Sequence, residues 1–238
     1  MSQTAPLLIE IGVEEMPAFV APKLGAALES EIHMLLQSAH IDVHGMERGV
    51  TPRRLLIHMN KCPVMQPDRE ETVWGPPEHV AYADGKPTRA AEGFARKSGI
   101  TLEDFTLADK GDGKTKYMRA TRKVRGRRVT DILAEAMPDI LRGLPGPKQM
   151  KWVDGESRAD AFIRPVRWIV ARLGNDLISF EYAGVKSGKI SHGHRVHGSG
   201  GEIDVKAPFK WLEKAYVIAN RNRRMSVIRE QLEAAAKA

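Results

Sequence analysis

The chain has 238 residues, enough for one large domain or two small ones, and its 42% apolar and 28% charged content is that of a folded globular protein rather than a disordered tail. A net charge of +7 favours polyanionic partners, of which nucleic acid is the commonest. The longest apolar stretches are only a few residues, the first twelve residues lack the basic and apolar regions of a signal peptide, and a lone Cys62 cannot form an internal disulfide; these features exclude a membrane-spanning helix and point to the cytoplasm.

Residues 6–17, PLLIEIGVEEMP, open with alternating and then branched apolar side chains and read as a core strand ending at Glu14, Glu15 and Pro17. An amphipathic helix follows over 22–38, with Leu24, Leu28, Ile32, Leu35 and Leu36 on one face and Pro22 in the first turn. Residues 53–59, RRLLIHM, read as a second strand, and the segment between it and the next helix, with QPDRE, GPP and ADGKP turn signals, reads as loop-rich. Residues 87–99 read as a short helix with Thr88 as N-cap, Ala91, Phe94 and Ala95 as buried stripe, and Gly99 as stop. YMRATRKV at 117–124 has strand character, and a helix is expected at 130–142 with a kink at Pro138.

FIRPVRWIVARLG (162–174) favours a strand over a helix, because Pro165 and the alternation outweigh the later helical spacing; LISFEYAGV (177–185) is a clearer strand. The last forty residues read as helical, and Met225, Ile228, Leu232 and Ala235 form a stripe that needs a partner, either earlier in the chain or in sequence that follows. This irregular order of elements fits an α+β class, with mixed β-sheets and packed helices.

The stretch GKISHGHRVHG (188–198) holds three histidines, His192, His194 and His197. Three protein ligands with an open fourth position suit a catalytic zinc. In a strand, however, His192 and His194 share a face that His197 leaves, and Arg195 within the cluster disfavours a second cation. A hydrogen-bonding loop and a phosphate- or RNA-contacting loop are the other two readings. Glu10, Glu14 and Glu15 form an acidic cluster that either divides acid and base roles or, as the simpler reading, caps a helix or pairs with arginines. Nucleotide-binding glycine motifs and a nucleophile elbow are absent from the sequence, and Cys62 reads as an inert, partly buried thiol.

The run KTKYMRATRKVRGRR (114–128) carries eight Lys or Arg and no acid, which reads first as a solvated face and second as an electrostatic footprint. TPRRL (51–55), PKQMKW (147–152) and FIRPVRW (162–168) each combine cations with proline, and the last two end in Trp152 and Trp168. Guanidinium forks suit phosphate and aromatic faces stack on unpaired bases, so these stretches are RNA-binding candidates; the competing reading puts both tryptophans in the core and pairs the arginines with Glu14 and Glu15.

Taken together, LLIEIGVEEMP, TPRRL, QPDRE…GPP, PTRAAEGFARKSG, PKQMKW, FIRPVRWIVARLG and GVKSGKISHGHRVHG resemble, in order, the N-terminal motifs of the bacterial glycyl-tRNA synthetase β-subunit family over residues 7–198. EEMP stands here for the more usual EELP, and HGHRVHG for GHRFHG. The resemblance implies a class II ligase of α2β2 type. Its α-subunit would make glycyl-adenylate, holding ATP and Mg, while the β-subunit engages tRNA-Gly. It also implies a fold similar to the B3/4-B5 region of phenylalanyl-tRNA synthetase β-subunits over 1–205, as one domain or two subdomains. Residues 206–238 would then begin a following domain or form a truncated end, since full β-subunits are several hundred residues longer. The family pattern supports His194, Arg195 and His197 above His192, which weakens the metal reading. No catalytic residue, metal or bound cofactor is expected on this chain, which alone should be inactive. The residues expected to contact RNA or support such a surface are Arg53, Arg54, Lys148, Lys151, Arg164, Arg167, His194, Arg195 and His197. Two alternatives stay open: a scaffold for the α-subunit without RNA contact, and a hydrolase acting on mischarged tRNA.

Overall fold

The computed structural model describes residues 3–111, 113, 115–147, 150–151 and 160–237. The first elements are β1 (Thr4–Val13), α1 (Ala21–Ser38), β2 (Met46–Thr51) and β3 (Arg54–Pro63). They are followed by β4 (Arg69–Pro77), α2 (Glu78–Ala81), β5 (Tyr82–Ala83), β6 (Lys86–Pro87), α3 (Arg89–Ser98), β7 (Thr106–Asp109) and β8 (Lys116–Val124). Then come α4 (Val129–Gly143), β9 (Met150–Lys151), β10 (Ala161–Phe162), β11 (Val166–Leu173), β12 (Asp176–Leu177), β13 (Glu181–Tyr182) and β14 (Val185–Gly188). The chain closes with β15 (Ile190–His192), β16 (Gly200–Glu202), α5 (Pro208–Lys214) and α6 (Arg221–Lys237). The class is α+β, as the pattern of elements indicated.

The chain divides into two compact units, Met1–Gln66 with Arg127–Ala238, and Pro67–Gly126. In the larger unit a seven-stranded mixed sheet runs β13-β14-β11-β1-β3-β2, with β12 on β11. All its pairings are antiparallel except β11 with β14. β1 sends Leu7, Ile9, Ile11 and Val13 to one face, where they pack with Leu24, Leu28, Ile32 and Leu36 of α1 and Leu133, Met137 and Leu141 of α4. Its other side chains face a second cluster that includes Leu56, Trp168, Val170, Ile203, Val205 and Leu212. The central strands are thus buried on both faces, which is why LLIEIGV reads as a nearly continuous apolar run.

The smaller unit pairs a three-stranded antiparallel sheet, β4-β8-β7, with α3. The expected helix forms as α3: Thr88 Oγ1 accepts from the Ala91 N–H, Gly99 takes the left-handed conformation at φ 66° that ends it, and Ala91 and Ala95 are buried.

Two expectations are corrected. The segment after β3 holds strand β4, whose sequence REETVWGPP is too polar to signal burial because only one face of its sheet is covered. LISFEYAGV is broken into short pieces: Ala183 and Gly184 both have positive φ (50° and 75°) and form the two-residue turn of the β13–β14 hairpin. FIRPVRWIVARLG does form a strand, β11, and Pro138 lies inside α4 as foreseen. Helix α6 forms, but none of its residues is buried, and Met225, Ile228 and Leu232 are 41%, 46% and 64% exposed. Its stripe therefore has no partner among the described residues. Trp152 lies outside them.

Candidate functional site

On the second face of the large sheet, β1 presents Leu8, Glu10 and Gly12. The register places Gly12 opposite Arg54 of β3 and opposite Trp168 of β11. Arg54 Nη1 lies 3.1 Å from Glu10 Oε1, with the two side chains only 2% and 0% exposed. The same carboxylate oxygen accepts from Trp168 Nε1 and Ser191 Oγ, both at 2.9 Å. Arg54 Nη2 donates to the His192 carbonyl. Four strands, β1, β3, β11 and β15, therefore converge on one carboxylate.

A charge this deep is tolerated only when paired, and the pairing here is close but incompletely directed. Among the described residues Glu10 Oε2 and Arg54 Nε and Nη1 find no hydrogen-bond partner. Burial outweighs the attraction of Glu10 and holds the Arg54 guanidinium below its ordinary pKa. The Trp168 indole packs against the backbone of β1, where a Cβ on Gly12 would fall 1.9 Å from Trp168 Cε2; only glycine admits the ring. The Arg53 and Arg54 guanidiniums each stand 5.7 Å from the indole, and the His192 ring meets it edge-on at 4.8 Å.

Above this floor two clefts meet at Arg53 and residues 193–195. One, of about 460 Å³, is bounded by Glu14, Arg53, Arg167, Trp168 and residues of the 192–200 loop. The other, of about 600 Å³, lies between the start of α1, the β2–β3 turn and Tyr216–Ile218. At the rim Arg167 lies 3.4 Å from Glu14, and Arg195 3.2 Å from Glu14 and 3.7 Å from Glu15. These pairs are open to solvent and are worth about 0–1 kcal/mol each, so an incoming polyanion can displace them.

The glycine-rich stretch is a hairpin loop between β15 and β16. His194 Nδ1 accepts from the Val196 and His197 N–H groups, both at 3.2 Å, and its ring stacks on that of His197 at 4.9 Å. His192 instead packs on Trp168, so the three imidazoles serve two different ends. Among the described residues no three His, Cys, Asp or Glu side chains gather to hold a metal.

Of the residues expected at the site, Arg53, Arg167, His194 and Arg195 line one opening, and His197 stacks beside them. Arg54 lies beneath it as the buried anchor. Arg164 is turned to the backbone, donating to the Glu15 and Ile163 carbonyls. Lys148 and the side chain of Lys151 fall outside the described residues. Sequence reasoning did not reach Gly12 or Ser191, or Glu10 as the centre of the network. The available signal was a single carboxylate inside LLIEIG, where a buried acid demands a buried cation. The glutamate–arginine alternative does hold at Glu14 and Glu15, and Trp168 is a core residue at 7% exposure.

Fold and site together define an α+β protein that presents an arginine-rimmed cleft on a buried arginine–carboxylate pair. Residues 7–238 match the family described as "Glycyl-tRNA synthetase beta subunit". The chain is 39% identical to the "Glycine--tRNA ligase beta subunit" of Trichlorobacter lovleyi, over 97% of this chain and 33% of that relative. It is 41% identical to the protein of the same name from Oleidesulfovibrio alaskensis, over 81% of this chain and 27% of the relative, and 36% identical to that of Trichodesmium erythraeum, over 97% and 32%. The chain belongs to the glycyl-tRNA synthetase beta subunit family, as the order of its motifs implied. It spans about a third of the length of the curated relatives it matches.

Proposed function

We propose that this chain is the tRNA-engaging and assembly portion of a cytoplasmic glycine–tRNA ligase, which joins glycine to tRNA-Gly with conversion of ATP to AMP and pyrophosphate. In this reading the adenylation chemistry, with its ATP and Mg, belongs to the partner α-subunit. This chain supplies binding energy rather than reacting groups. The observation that carries the reading is the placing of Arg53, Arg167 and Arg195 around one cleft, with the Trp168 edge at its wall. Arg54 and Glu10 support the surface from below, and His194 and His197 present the loop. Planar guanidiniums carried by β11, the β2–β3 turn and the loop after β15 suit phosphate oxygens, which accept two parallel hydrogen bonds from each fork.

Three such contacts predict a slope of log affinity against log salt of about −2.1 to −2.7, hence a roughly 20- to 40-fold loss between 50 and 200 mM salt. Filter binding of tRNA-Gly to the chain together with the α-subunit tests this. Absent or salt-independent affinity refutes it.

A second reading, an assembly scaffold without RNA contact, is favoured by the exposed stripe of α6. Co-purification with the α-subunit, with and without tRNA, separates the two. A scaffold binds the α-subunit equally in both cases and leaves tRNA affinity untouched by Arg195→Glu.

A further inference from the structure

The second candidate surface lies in the smaller unit, on the strand that carries most of the basic run. One face of the β4-β8-β7 sheet is covered: Val73, Met118 and Ala120 pack with Ala91, Phe94 and Ala95 of α3. A Cβ on Gly75 would meet the Phe94 ring at 2.7 Å, so Gly75 also belongs to that face. Alternation then sends Trp74, Tyr117, Arg119 and Thr121 to the opposite face, and the register sets Trp74 directly against Arg119.

On that open face rings and cations interleave. Lys110 Nζ stands 5.7 Å from the Trp74 ring centre and 5.2 Å from that of Tyr117, and Arg119 Cζ stands 5.6 Å from Trp74. Among the described residues neither cation has a carboxylate within ion-pair distance. By contrast Arg122, turned to the α3 side, is held by Glu71 at 2.8 Å and donates to the Ser98 carbonyl. Two arginines of β8 thus differ by face: Arg122 is neutralised on the α3 side, and Arg119, with Lys110, lies against the aromatic rings.

We propose that this open face is a second RNA-contacting surface, which takes unpaired bases by stacking on Trp74 and Tyr117 and their phosphates on Lys110 and Arg119. The choice of RNA as occupant rests on the function proposed above; the site and its mode of contact are separate from the cleft. A base that stacks on Trp74 displaces a cation from the ring, and that cation is then beside the phosphate of the same nucleotide. Stacking tolerates any base, because every base has a π-face. A protein partner is disfavoured by composition. Among the described residues the β4–β8–β7 register adds only Ala108 and Pro77, on either side of Tyr117, as aliphatic side chains on this face, little apolar area beside two uncompensated cations.

The test uses the 238-residue chain, single-stranded octa-adenylate RNA and an eight-base-pair RNA duplex, with binding read by fluorescence anisotropy. The single strand is expected to bind more tightly than the duplex. Trp74→Ala should weaken it roughly 5- to 150-fold, the range for one lost stack. Trp74→Phe should keep most of the affinity, and Arg119→Glu should weaken binding several-fold without unfolding, which keeps the test decisive if Trp74→Ala does not fold. Arg195→Glu should lower tRNA-Gly affinity, and Trp74→Ala added to it should weaken octa-adenylate binding by the same factor as in the native chain, so failure of the cleft and failure of this face are read separately. The proposal is overturned by any of three results: no binding of the octamer, equal binding of the duplex, or equal binding by folded Arg119→Glu and Trp74→Ala chains. Protection of Trp74 from hydroxyl-radical oxidation, read by mass spectrometry, by the α-subunit and not by RNA also overturns it, in favour of a protein contact.

Discussion

Replacing Glu10 by Gln removes one negative charge at the point where four strands converge and leaves an amide oxygen to accept from Trp168 Nε1 and Ser191 Oγ. The Arg54 guanidinium, 2% exposed, is then buried without a counter-charge. Breaking a buried pair from one side costs about 3–5 kcal/mol, a large share of the roughly 5–15 kcal/mol that holds a domain folded. With a urea dependence of about 2–3 kcal/mol per molar, the unfolding midpoint of the larger unit should fall by roughly 1–2.5 M, read from the tryptophan emission of a Trp74→Phe chain, whose remaining indoles all belong to that unit. Adding Arg54→Met removes the stranded cation, so the double variant should recover part of the loss. The reasoning is refuted if Glu10→Gln costs less than about 1 kcal/mol, or if the two changes are additive, since residues in one network should couple.

Gly12→Ala should cost about 1–3 kcal/mol by overpacking, and the indole displaced from Glu10 should show red-shifted, more quenchable emission; an unchanged spectrum disproves the close contact. His58 is buried, and its Nε2–H donates to the Val205 carbonyl at 3.0 Å. Burial holds its pKa below the ordinary value of 6.5, so the folded state binds a proton less readily than the unfolded one. Stability should therefore be full above pH 6.5 and fall as pH drops below it, by at most about 1.4 kcal/mol per pH unit from this group. Comparing denaturant midpoints at pH 7.5 and 5.5 for the native chain and His58→Asn tests the sign, and equal pH sensitivity would count against it. Cys62, fully buried with its thiol pushed up to about 12, should resist a disulfide reagent at pH 8 until urea is added; native-state labelling contradicts this burial. Leu232→Ser on the exposed α6 stripe should change the melting stability of this chain by less than about 0.5 kcal/mol, and a larger loss would reveal a packed partner.

Helices were legible where local chemistry settles the matter. Thr88 and Gly99 bound α3 whatever surrounds them, and the spacing of Leu24, Leu28, Ile32 and Leu36 needs only one apolar neighbour. Strands were legible where burial is strong, as in β1 and β11. They were lost in β4, whose alternation serves a sheet covered on one side only, and in 177–185, where the Ala183–Gly184 turn interrupts an apolar pattern. At the site, the histidine loop and the arginines could be picked out as residue types. What joins them is a register: Gly12 faces both Arg54 and Trp168 only because β1 lies between strands more than a hundred residues apart in the chain. No local pattern encodes that pairing.

The smaller unit interrupts the larger one between neighbouring points. Gln66 N–H donates to the Arg127 carbonyl at 2.8 Å, Arg127 N–H returns a bond to Gln66 Oε1, and Met65 bridges Arg128. During synthesis this has a kinetic effect. β1 can pair with β3 early, but its other edge must wait for β11, whose Leu173 meets Leu7 across about 160 residues, or roughly 8–30 s at ribosomal speed. The Pro67–Gly126 unit, whose widest pairing runs only from Arg69 to Val124, can fold within that interval. Until β11 arrives, β1 is a long apolar edge strand whose Glu10 has Arg54 of β3 but not yet the Trp168 and Ser191 donors, and the nascent chain passes through an aggregation-prone state.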